Sequence, residues 1–348
     1  MTARGVDALL LSVGADLPYF TGYRAMPLER LTMLVLPVDA PATLVLPAFE
    51  APRVTPLPGV FSLEPWEETD DPLSLVAGLC RSARRLGVGD TTWSVFLLGL
   101  QSSLAGAEFS AASALVGELR RRKDAGEADL LRQAGAAADR VVARLDHTRF
   151  AGKTERELAA EIAAMVVAEG HESAAFSIVA SGPNGASPHH EAGSRVISPG
   201  DAVVVDFGGR LHGYHSDITR TFFVGDPPAR VRKVHAVVAA AQEAGVAASG
   251  PGVPAQEVDR AARRVIAAAG FGSHFTHRTG HGIGLEEHEA PYLVEGNAVP
   301  LEPGMAFSVE PGVYLPGEFG VRLEDIVLVT GGGVERLNGA PRHLHSVD

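Results

Sequence analysis

Short apolar stretches bounded by turn residues occupy the first third of the chain and predict β-strands. The strand-like stretches are Asp7–Val13, Leu31–Leu36, Ala42–Leu46 and Trp93–Leu98. Between and after them, apolar residues at helical spacing predict helices over Asp71–Arg85 and Ala105–Arg122. Strands that alternate with helices are typical of an α/β layer structure. We therefore expect a small α/β domain over residues 1–122.

The rest of the chain, residues 123–348, shows longer helical periodicities and a separate group of strand-like stretches. The helices are predicted over Glu127–Leu145, Thr154–Glu169, Pro228–Ser249 and Pro254–Ala269. The strands are predicted over Ala202–Phe207, Ile218–Val224, Met305–Val309 and Gly320–Val329. A sheet with helices against one face is the arrangement that this grouping favours, so the larger domain is predicted to be α+β.

A run of mixed charge, Arg120–Glu127, lies between the two groups. Its basic residues could form a binding patch, but the acidic residues that follow favour a solvated connection. We place the domain boundary in this run.

Four carboxylates and one imidazole stand at the ends of apolar stretches or in glycine-rich sequence. They are Asp206, Asp217, His281, Glu310 and Glu324. Carboxylates in apolar strands are costly to bury unless a cation pairs with them. For any one of these residues, local pairing with Arg or capping of a turn is an equally good interpretation. Four crowded carboxylates could not all stay ionised, whereas two divalent cations would offset their charge, so the set predicts a metal site.

The spacing of the carboxylates predicts two hairpins. Asp206 and Asp217 flank one glycine-containing turn, and Glu310 and Glu324 flank another, so each hairpin would present a pair. Carboxylates with a neutral imidazole suit Mn²⁺, Co²⁺, Fe²⁺ or Zn²⁺. Between two such ions a bridging water becomes a hydroxide nucleophile near neutral pH.

These residues, in these contexts, resemble the metallopeptidase family with the pita-bread fold that contains methionine aminopeptidase, prolidase and aminopeptidase P. The matching stretches are Asp206-Phe207-Gly208, Ser216-Asp217-Ile218-Thr219-Arg220-Thr221, Thr279–Pro291, Val309–Tyr314 and Val321–Asp325. All of the family's ligand positions are filled. The resemblance implies a C-terminal pita-bread domain preceded by a smaller creatinase-like N-terminal domain.

The resemblance also implies roles for the ligands. Asp206 and Asp217 would hold one metal, while His281, Glu310 and Glu324 would complete the second, with Asp217 and Glu324 bridging. The expected cofactors are two divalent ions, Mn²⁺ first, with Co²⁺, Zn²⁺ or Fe²⁺ as alternatives. Glu310 would also accept the proton of the attacking water.

Two histidines match family positions that contact the substrate. His288 matches the catalytic histidine that contacts the scissile carbonyl and the tetrahedral intermediate. His189 falls where the proline-specific branch has its substrate-binding histidine, and His190 is its rival because the two are adjacent. Considered without the family, either of the adjacent histidines is equally well interpreted as an exposed loop residue.

Arg322 and Tyr314 match positions near the metals, where they would bind substrate or assist proton transfer. Structural pairing, for example of Arg322 with Asp325, is an equally good interpretation.

The choice within the family depends on the far end of the substrate. Val309–Tyr314, Arg322–Asp325 and Asp16–Tyr23 resemble the proline-specific branch. A dipeptidase must hold the carboxylate of the product proline, and several prolidases have an Arg for this just after the second histidine. Here that position is Tyr292. Another Arg or His could reach in from elsewhere, and the compact size favours a prolidase, but the missing Arg favours an aminopeptidase.

The sequence therefore predicts a Xaa-Pro aminopeptidase that acts on short proline-containing peptides. The alternative is a Xaa-Pro dipeptidase (prolidase), and a non-catalytic peptide-binding scaffold is a remote third. Creatinase shares the fold but lacks the full metal set. The resemblance implies a homodimer in which the N-terminal domains limit access to the metal cleft.

Composition indicates the class of protein and its expected location in the cell. A net charge of −12 argues against a nucleic-acid surface, and 46% hydrophobic with 21% charged residues is typical of a soluble globular protein. No stretch is apolar enough to span a membrane, and the first residues carry no signal-peptide pattern. The single cysteine, Cys80, excludes an internal disulfide, so we expect a cytoplasmic protein.

Overall fold

The computed structural model describes residues 1–348 and divides the chain into two compact units, Met1–Arg120 and Arg121–Asp348. No helix in either unit has the length and apolar character needed to cross a lipid bilayer.

The first unit is built on one mixed sheet of six strands, in the order β4-β3-β2-β1-β5-β6. The strands are β1 Ala8–Ser12, β2 Met33–Pro37, β3 Ala42–Pro47, β4 Phe61–Trp66, β5 Arg85–Val88 and β6 Glu108–Ala111. The helices are α1 Asp16–Thr21, α2 Pro72–Leu79, α3 Ser94–Ser103 and α4 Ser113–Arg120. Strand β1 lies between β2 and β5 in the interior of the sheet, and all of its residues are buried. Buried apolar side chains on both faces of the sheet form the core.

The strand predicted over Trp93–Leu98 is wrong, because this stretch begins helix α3. Phe96 and Leu100, one helical turn apart, are buried, whereas Val95 and Leu98 are exposed. A short apolar run fits either period, and here the spacing of the buried pair decides for the helix.

The two helices predicted in this unit are shorter than expected. The helix expected over Asp71–Arg85 ends at Leu79, and Arg85 already begins strand β5. The helix expected over Ala105–Arg122 is divided into strand β6 and helix α4. In both stretches a strand joins the sheet, β5 beside β1 and β6 beside β5, and such pairing overrides local propensity.

The second unit combines two five-stranded sheets and a two-stranded ribbon with four helices. The helices are α5 Ala125–Leu145, α6 Glu155–Ala168, α7 Ala229–Ala248 and α8 Ala255–Ala268. The strands are β7 Ser173–Ser181, β8 Ala202–Leu211, β9 Tyr214–His215, β10 Ile218–Val224, β11 Gly280–Gly282, β12 Glu289–Leu293, β13 Ala306–Val309, β14 Gly312–Leu315, β15 Phe319–Arg322, β16 Asp325–Thr330, β17 Gly333–Arg336 and β18 His345–Val347. The α+β class predicted for this part of the chain is confirmed.

The two sheets are joined by a backbone bridge. One sheet has the order β18-β10-β8-β7 with β9 beside β8, and the other has the order β12-β11-β13-β16-β17. An isolated antiparallel bridge between Thr219 and Glu324 links them. Helices α5 and α6 pack on the first sheet through one apolar cluster. Helices α7 and α8 pack through others that include residues of the β14–β15 ribbon and of β13 and β16.

The charged run at the boundary is less exposed than predicted. Lys123 is buried and its ammonium lies 2.6 Å from the Glu289 carboxylate, which is also buried. Arg120 is buried as well and pairs with Asp16. The interpretation as a solvated connection is wrong for these two residues, because each has a carboxylate partner that is distant in sequence.

Arg220 is fully buried and fastens the bridge between the sheets. Its guanidinium donates to the carbonyl oxygens of Thr219 at 2.9 Å and Glu324 at 2.6 Å, and to the Asp325 carboxylate at 2.7 Å. It also donates to the carbonyls of Ala340 and Pro341, so the guanidinium is satisfied at every nitrogen. A buried charge is tolerated only with this degree of pairing.

We expect Arg220→Met to lower the free energy of unfolding by about 3–5 kcal/mol, because it leaves buried acceptors without their donor. Urea denaturation of the metal-free protein measures the change. Arg230→Met is the matched control, since Arg230 pairs with Glu318 on the surface, where an ion pair contributes about 0–1 kcal/mol. Equal losses in the two variants would show that Arg220 does not fasten the fold.

Candidate active site

The predicted ligands converge where the two sheets meet. Asp206 lies in β8, Asp217 immediately precedes β10, and His281 lies in β11. Glu310 follows β13 and Glu324 precedes β16. Antiparallel pairing of β8 with β10 and of β13 with β16 brings each pair together, but the connections are not simple turns: β9 lies in the first, and the β14–β15 ribbon forms the second. The bridge from Thr219 to Glu324 then places one pair beside the other.

Three of the side chains form a compact group. The ligand atoms of Asp217, His281 and Glu324 all lie within 4.8 Å of one another, and all three residues are buried. His281 Nε2 lies 3.6 Å from Asp217 Oδ2 and 3.3 Å from Glu310 Oε1. One imidazole nitrogen and three carboxylates therefore face a common point.

The orientation of His281 is fixed by its own strand. Its Nδ1 lies 3.1 Å from the Gly282 carbonyl oxygen, which can only accept, so Nδ1 carries the proton and Nε2 is left as a free lone pair. Gly280 allows β11 to approach β13 closely, because a Cβ there would lie 1.9 Å from the Ser308 carbonyl oxygen. The Ser308 hydroxyl in turn accepts from the His281 backbone N–H.

Burial and mutual repulsion disfavour the charged carboxylates. Burial raises the pKa of Asp217 and of Glu324 well above the usual range, and neighbouring carboxylates add to the effect. Burial likewise raises the pKa of Glu310, to about 7. Burial lowers the pKa of His281 to about 3, with the adjacent His288 contributing, so the imidazole is neutral. Without added positive charge this group cannot stay fully ionised at neutral pH.

Three buried carboxylate oxygens have no hydrogen-bond partner: Asp206 Oδ1, Asp217 Oδ1 and Glu324 Oε1. Buried polar atoms are nearly always satisfied, and unsatisfied ones point to a missing ion or water. Their donor set, carboxylate oxygens with one neutral imidazole, is one that Mn²⁺, Co²⁺, Fe²⁺ and Zn²⁺ accept. The residues present therefore fit divalent metal ions.

Arg322 supplies the internal positive charge of the site. It is buried, and its guanidinium donates to Asp206 Oδ2 at 2.6 Å and to the Tyr314 hydroxyl at 2.9 Å. Its Nε donates to Thr219 Oγ1 at 3.2 Å, and that hydroxyl donates to Glu324 Oε2 at 2.7 Å. Arg322 thus orients two carboxylates, one directly and one through Thr219. The alternative pairing with Asp325 is not formed, because Arg220, Arg336 and Arg342 surround that carboxylate.

A cavity of about 660 Å³ opens over the carboxylates. Its lining residues are Phe176, Ile178, Pro188, His189, Asp206, Asp217, His277, Arg278, His281, Glu287, His288, Glu310, Arg322 and Glu324. The volume is in the range of small-molecule sites. Every predicted site residue except Tyr314 belongs to this lining.

The two adjacent histidines have different surroundings. His189 lines the cavity. His190 instead bonds through Nε2 to the buried Glu155 carboxylate at 2.7 Å, and Glu155 also accepts from Ser181 and Asn184. Burial opposes ionisation of Glu155, but these hydrogen bonds lower its pKa. His190 therefore anchors the loop that presents His189.

His288 stands beside the ligand group, with its ring centroid 3.8 Å from that of His281. Arg278 Nη2 donates to His288 Nδ1 at 3.3 Å. Burial lowers the pKa of His288, and Arg278 and His189 add to the shift. The neutral imidazole that accepts at Nδ1 carries its proton on Nε2, which makes Nε2 a donor.

Two cavity residues, His277 and Arg278, were not predicted from the sequence. His277 Nδ1 lies 2.7 Å from the Arg278 carbonyl oxygen, and its Nε2 lies 2.8 Å from the Tyr314 hydroxyl. Burial lowers the pKa of His277 to about 4. Tyr314 therefore reaches the site through His277 and Arg322. The only sequence signal for these two residues is their nearness to His281, since regular strand begins at Gly280.

Both parts of the chain match known family models. Residues 129–331 match the model of metallopeptidase family M24, and residues 1–122 match that of the creatinase/prolidase N-terminal domain. The chain belongs to the M24 metallopeptidases. This confirms the family recognised in the sequence and the pita-bread fold preceded by a creatinase-like domain.

Relatives within this family align over almost the whole chain. The probable dipeptidase PepE of Mycobacterium tuberculosis is 45% identical over 345 residues, covering 98% of this chain and 92% of its own. The Xaa-Pro dipeptidase of Pyrococcus horikoshii is 33% identical over 348 residues, covering 99% and 96%. The crystal structure of dipeptidase PepE from Mycobacterium ulcerans is 44% identical, covers 99% of this chain and 94% of its own, and superposes with a TM-score of 0.92.

The raised pKa of Glu310 predicts that the free energy of unfolding of the metal-free protein depends on pH. Burial raises the value from 4.5 to about 7. The native state then binds more protons than the unfolded state between these values, so stability falls as pH rises through them. Glu310→Gln removes this titration. Buried histidines with lowered pKa values act in the opposite direction, but both proteins contain them.

We expect the melting temperature of Glu310→Gln, relative to the wild type, to rise by several degrees from pH 5 to pH 7.5 in the presence of a chelator. This corresponds to about 2 kcal/mol. Melting curves of both proteins at each pH measure the difference. A difference in melting temperature that stays constant with pH would show that burial does not raise the pKa of Glu310.

Proposed function

We propose that the protein is a metal-dependent Xaa-Pro dipeptidase that hydrolyses dipeptides with a C-terminal proline. The observation that carries the proposal is the cluster of four carboxylates and one neutral imidazole, with three unsatisfied buried oxygens, at the base of a cavity. The aminopeptidase favoured in the sequence gives way to its alternative, because relatives that cover the whole chain are named dipeptidases.

Five residues would hold the metal: Asp206, Asp217, His281, Glu310 and Glu324. We propose two ions, Mn²⁺ first, and metal analysis of the purified protein counts them. When bound, divalent ions would polarise the scissile carbonyl and acidify a water molecule. The division into residues 1–122 and 123–348 and the homodimer are further parts of the proposal, and sedimentation analysis tests the homodimer.

The protein groups have separate tasks in hydrolysis. Ser308 donates to Glu310 Oε1 at 3.2 Å, which leaves Oε2 to accept the proton of the attacking water. His288, protonated on Nε2, would donate to the scissile carbonyl oxygen as negative charge develops there. His189, across the cavity from a separate loop, would contact the substrate. Arg322 keeps Asp206 in place, with Tyr314 behind it.

The apolar part of the cavity suits the ring of proline. Phe176, Ile178 and Pro188 line it beside the polar groups. Binding sites of this kind combine apolar walls with a few placed polar atoms.

Product analysis of Mn²⁺-loaded protein, given Ala-Pro and Ala-Pro-Ala in parallel, tests the proposal. We expect free alanine and proline from Ala-Pro, with at least about tenfold slower cleavage of Ala-Pro-Ala, since one tenfold step corresponds to about 1.4 kcal/mol of lost interaction. Preferred release of Pro-Ala from the tripeptide would make the enzyme an aminopeptidase. No product from either peptide, with metal shown to be bound, would indicate a binding scaffold.

Substitution of the ligands tests the assignment of the site. We expect Asp217→Asn and Glu310→Gln each to lower kcat/KM for Ala-Pro by at least about 100-fold, since general-base assistance alone contributes about 100-fold to 10,000-fold. Asp226→Asn is the matched control, because Asp226 is exposed and pairs with Arg232 on the surface. Retention of activity by Asp217→Asn with unchanged metal content would remove Asp217 from the ligand set.

A further inference from the structure

A dipeptide places a negative charge close to the bond that is cut. Its C-terminal carboxylate lies one residue beyond the scissile carbonyl, and one residue spans at most about 3.6 Å. An enzyme of the proposed function gains selectivity by holding this charge, and the group that holds it must adjoin the one that contacts the scissile carbonyl. This inference therefore rests on the proposed function and concerns the same cavity.

The guanidinium of Arg278 lies in the required position. It lines the cavity, and its Nη2 is 3.3 Å from Nδ1 of His288, the residue proposed to contact the scissile carbonyl. Arg278 precedes strand β11, which carries His281. It therefore stands next to the residue proposed to contact the scissile carbonyl, but outside the ligand group.

Among the other basic residues of the lining, His189 and His288 already have proposed substrate contacts, and the remaining ones are engaged within the protein. Arg322 is buried and already paired with Asp206. His281 belongs to the ligand group, and both ring nitrogens of His277 are engaged, one with the Arg278 carbonyl oxygen and one with the Tyr314 hydroxyl. Arg278, by contrast, forms no ion pair with a carboxylate of the chain, and its one side-chain hydrogen bond is to a neutral imidazole. Its charge is available to a ligand.

Tyr292 holds the guanidinium in place. The Cζ atom of Arg278 lies 4.4 Å from the centroid of the Tyr292 ring. Tyr292 is opposite His281 in the pairing of β11 with β12, and directly opposed residues of antiparallel strands share a face. Stacking on an aromatic ring restricts the guanidinium while leaving its N–H groups free to bind a carboxylate.

We propose that Arg278, stacked on Tyr292, binds the C-terminal carboxylate of the dipeptide substrate. Tyr292 was interpreted in the sequence as the loss of a carboxylate-binding Arg. The structure assigns it instead as the support for an Arg supplied by the segment just before the neighbouring strand β11. The pair Arg278–Tyr292 is a specificity-determining element that favours dipeptides over longer peptides by charge.

The test compares Ala-Pro with its amide, Ala-Pro-NH₂, which has the same scissile bond but no carboxylate. We expect the wild type to prefer Ala-Pro. Arg278→Gln should lower kcat/KM for Ala-Pro by about 10-fold to 100-fold, mainly through KM, because a charge-assisted pair is lost. The same variant should change kcat/KM for the amide by less than about threefold, which is about 0.7 kcal/mol.

Arg264→Gln, on the exposed side of α8, is the matched control and should leave both substrates unaffected. Arg278→Lys should retain part of the preference, since it keeps the charge but not the fork. Tyr292→Ala should weaken the preference for Ala-Pro, whereas Tyr292→Leu should preserve more of the packing. Inhibition of the wild type by proline, compared with prolinamide, needs no variant and should favour proline.

Two results would overturn the inference while leaving the proposed function intact. Equal losses for Ala-Pro and its amide would show that Arg278 only positions His288. Equal cleavage of both substrates by the wild type, with equal inhibition by proline and prolinamide, would show that no carboxylate is bound. A wild type that cleaves neither substrate would remove the proposed function itself, and this inference with it.

Discussion

The concentration of negative charge in a buried cavity is the constraint around which the larger unit is organised. Asp217 and Glu324 are almost completely buried. Burial raises the pKa of both carboxyl groups, and the negative charge of nearby carboxylates raises it further. Arg322 offsets one unit of this charge by pairing with Asp206. Asp217, Glu310 and Glu324 form no ion pair with an Arg or Lys, and three carboxylate oxygens of the group are left without any hydrogen bond. Such an arrangement is stable as an ionised group only when it binds cations, so the fold and the cofactor requirement have the same physical origin.

The architecture keeps these charges together by joining two sheets at one point. The bridge between Thr219 and Glu324 brings the strands that carry the aspartates next to those that carry the glutamates. Arg220 binds the backbone carbonyls on both sides of this bridge, and Thr219 uses its hydroxyl to link Arg322 with the Glu324 carboxylate. A catalytic group placed by strand pairing and buried hydrogen bonds is held more firmly than one placed on a loop. The positions of the ligands are thus a consequence of sheet pairing.

The sequence predicts these residues as metal ligands because four carboxylates and one imidazole stand beside apolar or glycine-rich stretches and match the pattern of a known family, although any one of them alone could be paired locally. Asp206 and Glu310 are examples that local reasoning can find. It cannot find Arg278 or the anchoring of His190 by Glu155, because both depend on contacts between segments that are distant in sequence or lack regular structure. Local reasoning also fails at Trp93–Leu98, where a short apolar run fits both a strand and a helix. Prediction from sequence is therefore strongest where chemistry constrains a single residue and weakest where two segments must meet.

The contrast between Tyr292 and Arg278 shows how a substrate contact can be kept while its sequence position changes. Arg278 lies just before β11 and lines the cavity, and its guanidinium packs on the ring of Tyr292 in the paired strand β12. A charge that is missing from β12 can therefore be supplied by the segment before β11 if something fixes its direction. An aromatic ring does this for a guanidinium, because it offers a flat, electron-rich surface and takes none of its N–H donors. Specificity in such a site depends on where the positive charge lies in the cavity, and less on which position of the sequence supplies it.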